Sequence, residues 1–310
     1  MEQTPIKAAI LPVTPYQQNC SLVWCTRTNK AALIDPGGDL DRLRAALKSQ
    51  GVTLEKVLLT HGHLDHASGA AKLAREFAVP IEGPHRDDAF LLDELGRNAV
   101  RPGFGDAENC APDRWLEDGD TVTVGEATFG VRHCPGHTPG HVVFYHADAK
   151  VAFVGDVLFA GSIGRTDFPR GNYQQLIDSI TGRLWPLGSD MHFVPGHGPM
   201  STFGRERETN GYVADGALEM TATLGPKPNS FPDRPHPKSL CDFDLSRKRE
   251  RLSGRGHVAL GQSGADFAGE GRLALFEERR DAFLDIGTGA ELDAERAVHR
   301  DHAERIGLAA

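Results

Sequence analysis

The stretch Val57-Leu58-Leu59-Thr60-His61-Gly62-His63-Leu64-Asp65-His66 runs from an apolar segment directly into three imidazoles and a carboxylate. A strand that stops at a small polar residue and opens onto such a cluster is a common way to build a catalytic metal site. Imidazole and carboxylate are the usual ligands of Zn²⁺ and other borderline divalent ions, and the backbone must bend sharply to aim several of them at one point. One or two histidines in such a place would read as a solvated loop. This spacing reads as a metal site because three segments downstream repeat the design.

The first of these, Cys134-Pro135-Gly136-His137-Thr138-Pro139-Gly140-His141, lies between apolar runs and is dense in turn residues, so it reads as a rigid loop between strands. Val151-Ala152-Phe153-Val154-Gly155-Asp156 is an apolar strand whose first break is a glycine followed by a carboxylate. Met191-His192-Phe193-Val194-Pro195-Gly196-His197-Gly198 repeats that arrangement with a histidine. Strand ends at one edge of a sheet converge in space, so ligands far apart in sequence can share an ion. A lone Asp after a strand is ordinarily a turn former and a lone His a solvated side chain. Four strand ends that each present a ligand are not explained as turns.

Working outward, short apolar runs alternate with helical patterns. Ser21 to Cys25 and Lys30 to Ile34 read as paired strands closed by the turn Asp35-Pro36-Gly37-Gly38. Leu40, Leu43 and Leu47 recur at helical spacing, with Gly51 as the stop. Residues 67–78 and 86–95 are expected to be helices, with a strand starting at Val79-Pro80-Ile81 between them. Residues 121–124, 128–131, 142–145 and 151–154 read as strands, and 173–180 as a helix before the His197 strand. Strands and helices occur in both halves, which suits two sheets between helices.

Composition agrees with a globular enzyme. A 310-residue chain has room for one large α/β domain and an appendage, and 39% hydrophobic residues suffice for a core in the first two-thirds. The formal net charge of −9 argues against a general phosphate-backbone binder, so no nucleic-acid partner is expected. Residues 1–15 show neither a basic n-region nor an apolar h-region, and no stretch approaches the roughly 18 apolar residues of a membrane span. A cytoplasmic protein without a membrane partner is expected. Five cysteines at irregular positions offer no disulfide framework and no Cys-x-x-Cys pair, so they read as reduced thiols, Cys134 included. Nothing in the sequence fixes the oligomeric state. Past Val213 the character changes: Pro226, Pro228, Pro232, Pro235 and Pro237 crowd together, and Arg247-Lys248-Arg249-Glu250-Arg251 follows. Such a segment buries too little apolar surface to offset its chain entropy. A domain over 1–213 and a low-order extension over 214–310 are therefore expected.

The pattern Thr-His-x-His-x-Asp-His, then His137, Asp156 and His197, resembles the metallo-β-lactamase superfamily. Gln18-Asn19-Cys20-Ser21-Leu22-Val23-Trp24, Asp35-Pro36-Gly37-Gly38, His133-Cys134-Pro135-Gly136-His137 and Val194-Pro195-Gly196-His197-Gly198-Pro199 are similar to short bacterial glyoxalase II-like hydrolases. The resemblance spans about residues 5 to 213. It implies an α/β fold, specifically an αββα sandwich, which periodicity alone does not supply. It also implies two divalent ions per chain, Zn²⁺ first with Fe or Mn as alternatives. His61, His63 and His137 would hold one ion; Asp65, His66 and His197 the other; Asp156 would bridge.

The implied activity is hydrolysis of S-D-lactoylglutathione or a related small-molecule acyl thioester by a metal-activated hydroxide. Asp65 and His141 are then the candidate catalytic residues, His141 as a proton donor or as support for a ligand. Arg165 falls where the family often places a basic group and is the candidate anchor for a glutathione carboxylate. Asp167 and Pro199 stand where long glyoxalase II proteins present tyrosines. Gly164-Arg165-Thr166-Asp167-Phe168 also resembles persulfide dioxygenases, where one Fe(II) is held by two His and one Asp. An RNA-processing nuclease of the same superfamily is the third reading, disfavoured by the acidic balance.

Overall fold

The computed structural model describes residues 6–105, 107–224 and 282–284. The first half forms β1 (Ile6–Val13), β2 (Gln18–Cys25), β3 (Lys30–Ile34), α1 (Leu40–Gln50), β4 (Thr53–Leu58), α2 (Leu64–Ala67), α3 (Ala70–Phe77), β5 (Ile81–Glu82) and α4 (Ala89–Leu92). The second half forms β6 (Thr121–Val124), β7 (Ala127–His133), β8 (Val142–His146) and β9 (Val151–Gly155), then the small hairpin β10 (Leu158–Phe159) and β11 (Ser162–Ile163). After it come α5 (Tyr173–Ser179), β12 (His192–Pro195), β13 (Ser201–Thr202), α6 (Phe203–Thr209), α7 (Asp215–Leu224) and β14 (Ala282–Leu284).

Two six-stranded sheets result, ordered β14-β1-β2-β3-β4-β5 and β13-β12-β9-β8-β7-β6. Alternation along each strand sends successive side chains to opposite faces; in β2, β3, β8 and β9 both faces are covered and the text is nearly unbroken apolar, whereas β6 and the start of β7 alternate buried and exposed residues. In β2, Val23 and Cys25 face the other sheet, meeting Phe129, Val131, Phe144 and Phe153. Leu22 and Trp24 face outward onto a layer that includes Leu40, Leu43, Leu47 and Leu73 of α1 and α3. In the second sheet Ala152, Val154 and Phe193 point the other way, under Leu176 and Ile177 of α5 and Phe203 of α6. Helix, sheet, sheet, helix: the layers are the expected αββα sandwich.

Parallel pairing places the site. β3 lies parallel to β4 with Ile34 opposite Leu58, and β9 parallel to β12 with Gly155 opposite Pro195. The C-terminal ends of each pair therefore sit side by side, which brings Asp35 next to Thr60 and Asp156 next to His197.

Several boundaries differ from the sequence reading. The N-terminal strand β1 was not foreseen, because Lys7 and Pro12 interrupt its apolar text. The 67–78 helix is two pieces: Gly69 gives its N–H to Pro36 O at 2.9 Å, and the chain restarts at Ala70. The expected 86–95 helix breaks into a 3₁₀ turn at Arg86–Asp88 and the four-residue α4, since the Asp88 side chain turns fully inward. The strand near Val79 begins at Ile81 instead. The expected boundary after Val213 falls where the chain continues into α7, with Leu218 packed against the outer core of the second sheet. Ala282–Leu284 pairs antiparallel with β1. Of the extension for which low order was expected, residues 225–281 and 285–310 lie outside the described residues.

Candidate metal centre

The four strand ends deliver their donors to one place. His61, His63 and His137 each offer one ligand atom within 4.8 Å of the others, and so do Asp65, His66 and His197. His63 Nδ1 stands 3.0 Å from both His61 Nε2 and His137 Nε2. In the second group, Asp65 Oδ2 is 3.1 Å from His197 Nε2 and 3.8 Å from His66 Nε2. Asp156 lies between the groups, with Oδ1 3.4 Å from His66 Nε2 and Oδ2 3.5 Å from His137 Nε2. All seven expected ligand residues are thus brought together.

Two glycines make this approach possible. A Cβ on Gly196 would lie 2.1 Å from Asp156 Oδ1 and 2.7 Å from His66 Cε1, so only glycine lets β12 hand on to His197 here. Gly155 adopts φ +48°, in the left-handed region, and turns the chain at the end of β9 so that Asp156 enters the cluster.

Four of the five ligand imidazoles are oriented from behind. His137 Nδ1 donates to Arg165 O at 2.7 Å, and His197 Nδ1 is 3.2 Å from Tyr16 O. His66 Nδ1 lies 2.9 Å from Asp35 Oδ2. Thr60 gives its hydroxyl to the same Asp35 oxygen at 2.6 Å and so accepts from His61 Nδ1 at 3.0 Å. These contacts fix the tautomers so that the opposite nitrogen of each ring faces the cluster, the usual outer support of metal-bound histidine. His141 does not line the mouth. It is fully buried, stacks on His61 at 4.6 Å between centroids, and accepts the Asp156 N–H on Nε2 at 3.0 Å.

Electrostatics sort the donors. Burial pushes the His63 ring down to about 3 and the His137 ring to about 4, and holds His61 and His141 well below the ordinary imidazole value, so all four are neutral, and His61, His63 and His137 have lone pairs to offer. Burial also lowers His66 and His197, but the carboxylates of Asp156 and Asp65 outweigh it and raise both, His66 to about 9. Burial raises Asp65, yet His66 and His197 win and hold its carboxyl below the usual range. Two atoms show that the cluster suits an ion. His66 Nε2 and Asp156 Oδ1 are buried and have no hydrogen-bond partner among the described residues, a costly state for polar groups that a cation would resolve.

Three supporting groups, the Asp35 and Asp88 carboxylates and the Arg165 carbonyl, are not legible as such in the sequence. Asp35 had been read only as a turn, and the Arg165 carbonyl cannot be read from a side-chain pattern. Asp88, fully buried, accepts from Gly62 N at 3.0 Å, Thr138 Oγ1 at 2.8 Å and Gly140 N at 2.6 Å, and so ties the His61–His63 loop to the His137 loop. Desolvation raises its carboxyl to about 6 against the pull of those three hydrogen bonds. The Arg165 guanidinium pairs with Asp167 through two contacts of 3.0 and 2.8 Å and lies 4.7 Å over the Phe168 ring. Phe168 in turn meets His63 at 4.9 Å and His137 at 5.6 Å. Cys134 is buried and its thiol is pushed up to about 12, which leaves no thiolate for nucleophilic work.

The family model of the metallo-β-lactamase superfamily matches residues 13–197. The chain belongs to this superfamily. A relative, hydroxyacylglutathione hydrolase GloC of Haemophilus influenzae, is 46% identical over 205 residues, covering 66% of this chain and 96% of its own. Among solved structures, the BLEG-1 B3 metallo-β-lactamase is 34% identical with a TM-score of 0.60, covering 67% of this chain and 99% of its own. TTHA1623 in a di-iron-bound form is 37% identical with a TM-score of 0.56, covering 65% of this chain and 98% of its own. As a superfamily member the chain carries a His/Asp cluster suited to two divalent ions. No helix among the described residues is long and apolar enough to cross a membrane.

Proposed function

We propose that the protein hydrolyses acyl thioesters of the S-D-lactoylglutathione type, using two divalent cations held by His61, His63 and His137 and by Asp65, His66 and His197, with Asp156 between them. The observation that carries this reading is the convergence of two three-donor groups on one shared carboxylate. Bound there, the cations supply a water acidified toward neutrality and a Lewis acid for the scissile carbonyl. Zn²⁺ is assigned first, with Fe or Mn as alternatives, since imidazole suits zinc and iron alike.

The chain's own residues do the rest. Thr60, Asp35, Arg165 O and Tyr16 O hold the ring protons of the ligands away from the cluster. His141 stays neutral and positions the Asp156 backbone, so its role is support for a ligand. Phe168 walls one side against His63 and His137 and keeps water from that flank. Arg165, held over Phe168, stands one ring away from the ligands and anchors the acid end of the thiol portion. A thiolate is a weakly basic leaving group and departs without a strong general acid, which fits a site whose fully buried His141 faces Asp156. The resemblance to GloC supports this substrate class. The four described cysteines are free thiols, as a reducing cytoplasm would keep them.

The deciding experiment compares S-D-lactoylglutathione with glutathione persulfide on the metal-loaded protein. Thiol release without oxygen uptake is expected. Activity confined to the persulfide, with stoichiometric O₂ consumption, would replace the hydrolase by the Fe(II) dioxygenase.

A further inference from the structure

A second group of histidines lies outside the seven-donor cluster. His85, Asp87 and His133 each offer one ligand atom within 4.8 Å of the others. His85 precedes the Arg86–Asp88 turn, and His133 ends β7. Their rings are stacked with centroids 4.1 Å apart and 15° between planes.

The hydrogen bonds around these rings fix where their lone pairs are. His85 Nδ1 accepts the Asp87 N–H at 3.2 Å, so its proton is on Nε2, which donates to Glu117 Oε2 at 3.0 Å. His133 Nε2 donates to Pro139 O at 2.8 Å, which leaves its lone pair on Nδ1. Both imidazoles thus have one nitrogen anchored as a donor, to a carboxylate in one case and to a backbone carbonyl in the other. The opposite nitrogen of each is the acceptor. That is the protonation pattern and outer support of metal-bound histidine, and it matches the one seen around His137 in the main cluster. Asp87 Oδ2 stands 3.4 Å from His85 Nδ1, close to the roughly 3.3 Å edge of a tetrahedral shell with ~2.0–2.1 Å bonds. Burial lowers the His133 ring, which keeps it neutral. The charges suit a dication, since the carboxylates of Asp87 and Glu117 lie beside the His85 ring.

We propose that His85, Asp87 and His133 form a peripheral site for a borderline divalent cation such as Zn²⁺, separate from the seven-donor cluster. The site is one that the ion assembles. In-plane lone pairs of parallel rings do not meet, so the stack must open, and the ion must displace the Asp87 N–H from His85 Nδ1. Both costs make it weaker than the main cluster. Its position gives it a consequence. His85 N donates to Gly140 O at 3.0 Å, and His133 begins the loop that bears His137. A cation here clips the Arg86–Asp88 turn to the base of that loop.

The test loads the full chain at its main cluster and then titrates Zn²⁺ alone, counting bound metal by equilibrium dialysis with elemental analysis and following the melting temperature. One further equivalent is expected, with a rise in melting temperature. H85A and H133A should each weaken that equivalent by roughly tenfold or more. D87N keeps the backbone N–H of the turn and should lose affinity without loss of fold. Turnover at limiting Zn²⁺ should be unchanged in all three. The proposal is overturned if the loaded wild-type chain takes up no further equivalent. It is equally overturned if the equivalent persists undiminished in D87N and in the H85A/H133A double variant.

Discussion

Replacing Asp35 by Asn exchanges one acceptor oxygen for an amide that only donates, at a residue that orients two of the proposed ligands. Asp35 has φ +53°, and Asn tolerates this left-handed conformation, so the backbone need not move. In the native chain Oδ1 accepts the Thr60 N–H at 2.7 Å, while Oδ2 accepts the Thr60 hydroxyl at 2.6 Å and the His66 Nδ1 proton at 2.9 Å. The amide has two placements. With its oxygen at the Oδ2 position, its NH₂ faces the Thr60 N–H. With its oxygen at the Oδ1 position, its NH₂ faces His66 Nδ1, which must then accept. That moves the ring proton to Nε2, the atom that faces Asp65 and Asp156. The first placement leaves an acceptor for His66 Nδ1, but a neutral one, weaker than the carboxylate, and the second takes the acceptor away; either reaches His61 only through Thr60.

Loss of such outer support typically costs ~10–100-fold in metal affinity, or about 1.4–2.7 kcal/mol. The assay titrates metal-free protein with Zn²⁺ against a chromophoric chelator and resolves two sequential constants, His197→Ala marking the one that belongs to the Asp65, His66 and His197 group. That constant should weaken by the full factor in Asp35→Asn, and the other by less than about tenfold. Unchanged affinity at both positions, or a loss confined to the His61, His63 and His137 group, would refute the orienting role of Asp35.

Other expectations are equally open to measurement. Because His66 and His197 are raised in the folded chain, their stabilisation of the metal-free protein is complete below an unfolded value of about 6.5 and lost as pH climbs; for His66 the loss runs to about 9. Melting temperature against pH, with and without Zn²⁺, should show this alkaline loss only in the metal-free form. Asp88→Asn removes a costly buried charge but leaves a donor of Gly62, Thr138 or Gly140 facing an amide N–H. Its melting temperature should move little while kcat falls on the order of tenfold, and equal loss of both would make Asp88 a purely structural residue. Arg165→Ala should raise KM a few-fold more than it lowers kcat, since an anchor shared by ground and transition states acts on binding; a loss in kcat alone would remove Arg165 from that role. A chain ending at Leu224 should stay folded and load both ions, whereas one ending at Val213 loses Leu218 from the core and should be less stable by about 1 kcal/mol; denaturant unfolding of the two compares them.

The site was more legible in the sequence than the sheets that carry it, and the reason is physical. A ligand's chemistry lies in its side chain, so His61, His63, Asp65, His66, His137, Asp156 and His197 announce themselves by type and by their place after apolar runs. The register that makes them converge does not. Ile34 opposite Leu58 and Gly155 opposite Pro195 are pairings across long separations, and strands buried on both faces lack the alternation that would tell one sheet from the other. Asp35 and Asp88 illustrate the remaining gap. Each looks local, one in an Asp-Pro-Gly-Gly turn and one in a helical pattern, and each acts on residues more than twenty positions away. Asp88 even overrides its own neighbourhood: holding Gly62, Thr138 and Gly140 with one carboxylate requires the side chain to face inward, and the helix expected over 86–95 yields to that requirement. Local propensity is worth tenths of a kcal/mol per residue, whereas a buried donor left without its acceptor costs about 1–3 kcal/mol, and three donors here depend on Asp88. The break in the helix is therefore part of the metal site.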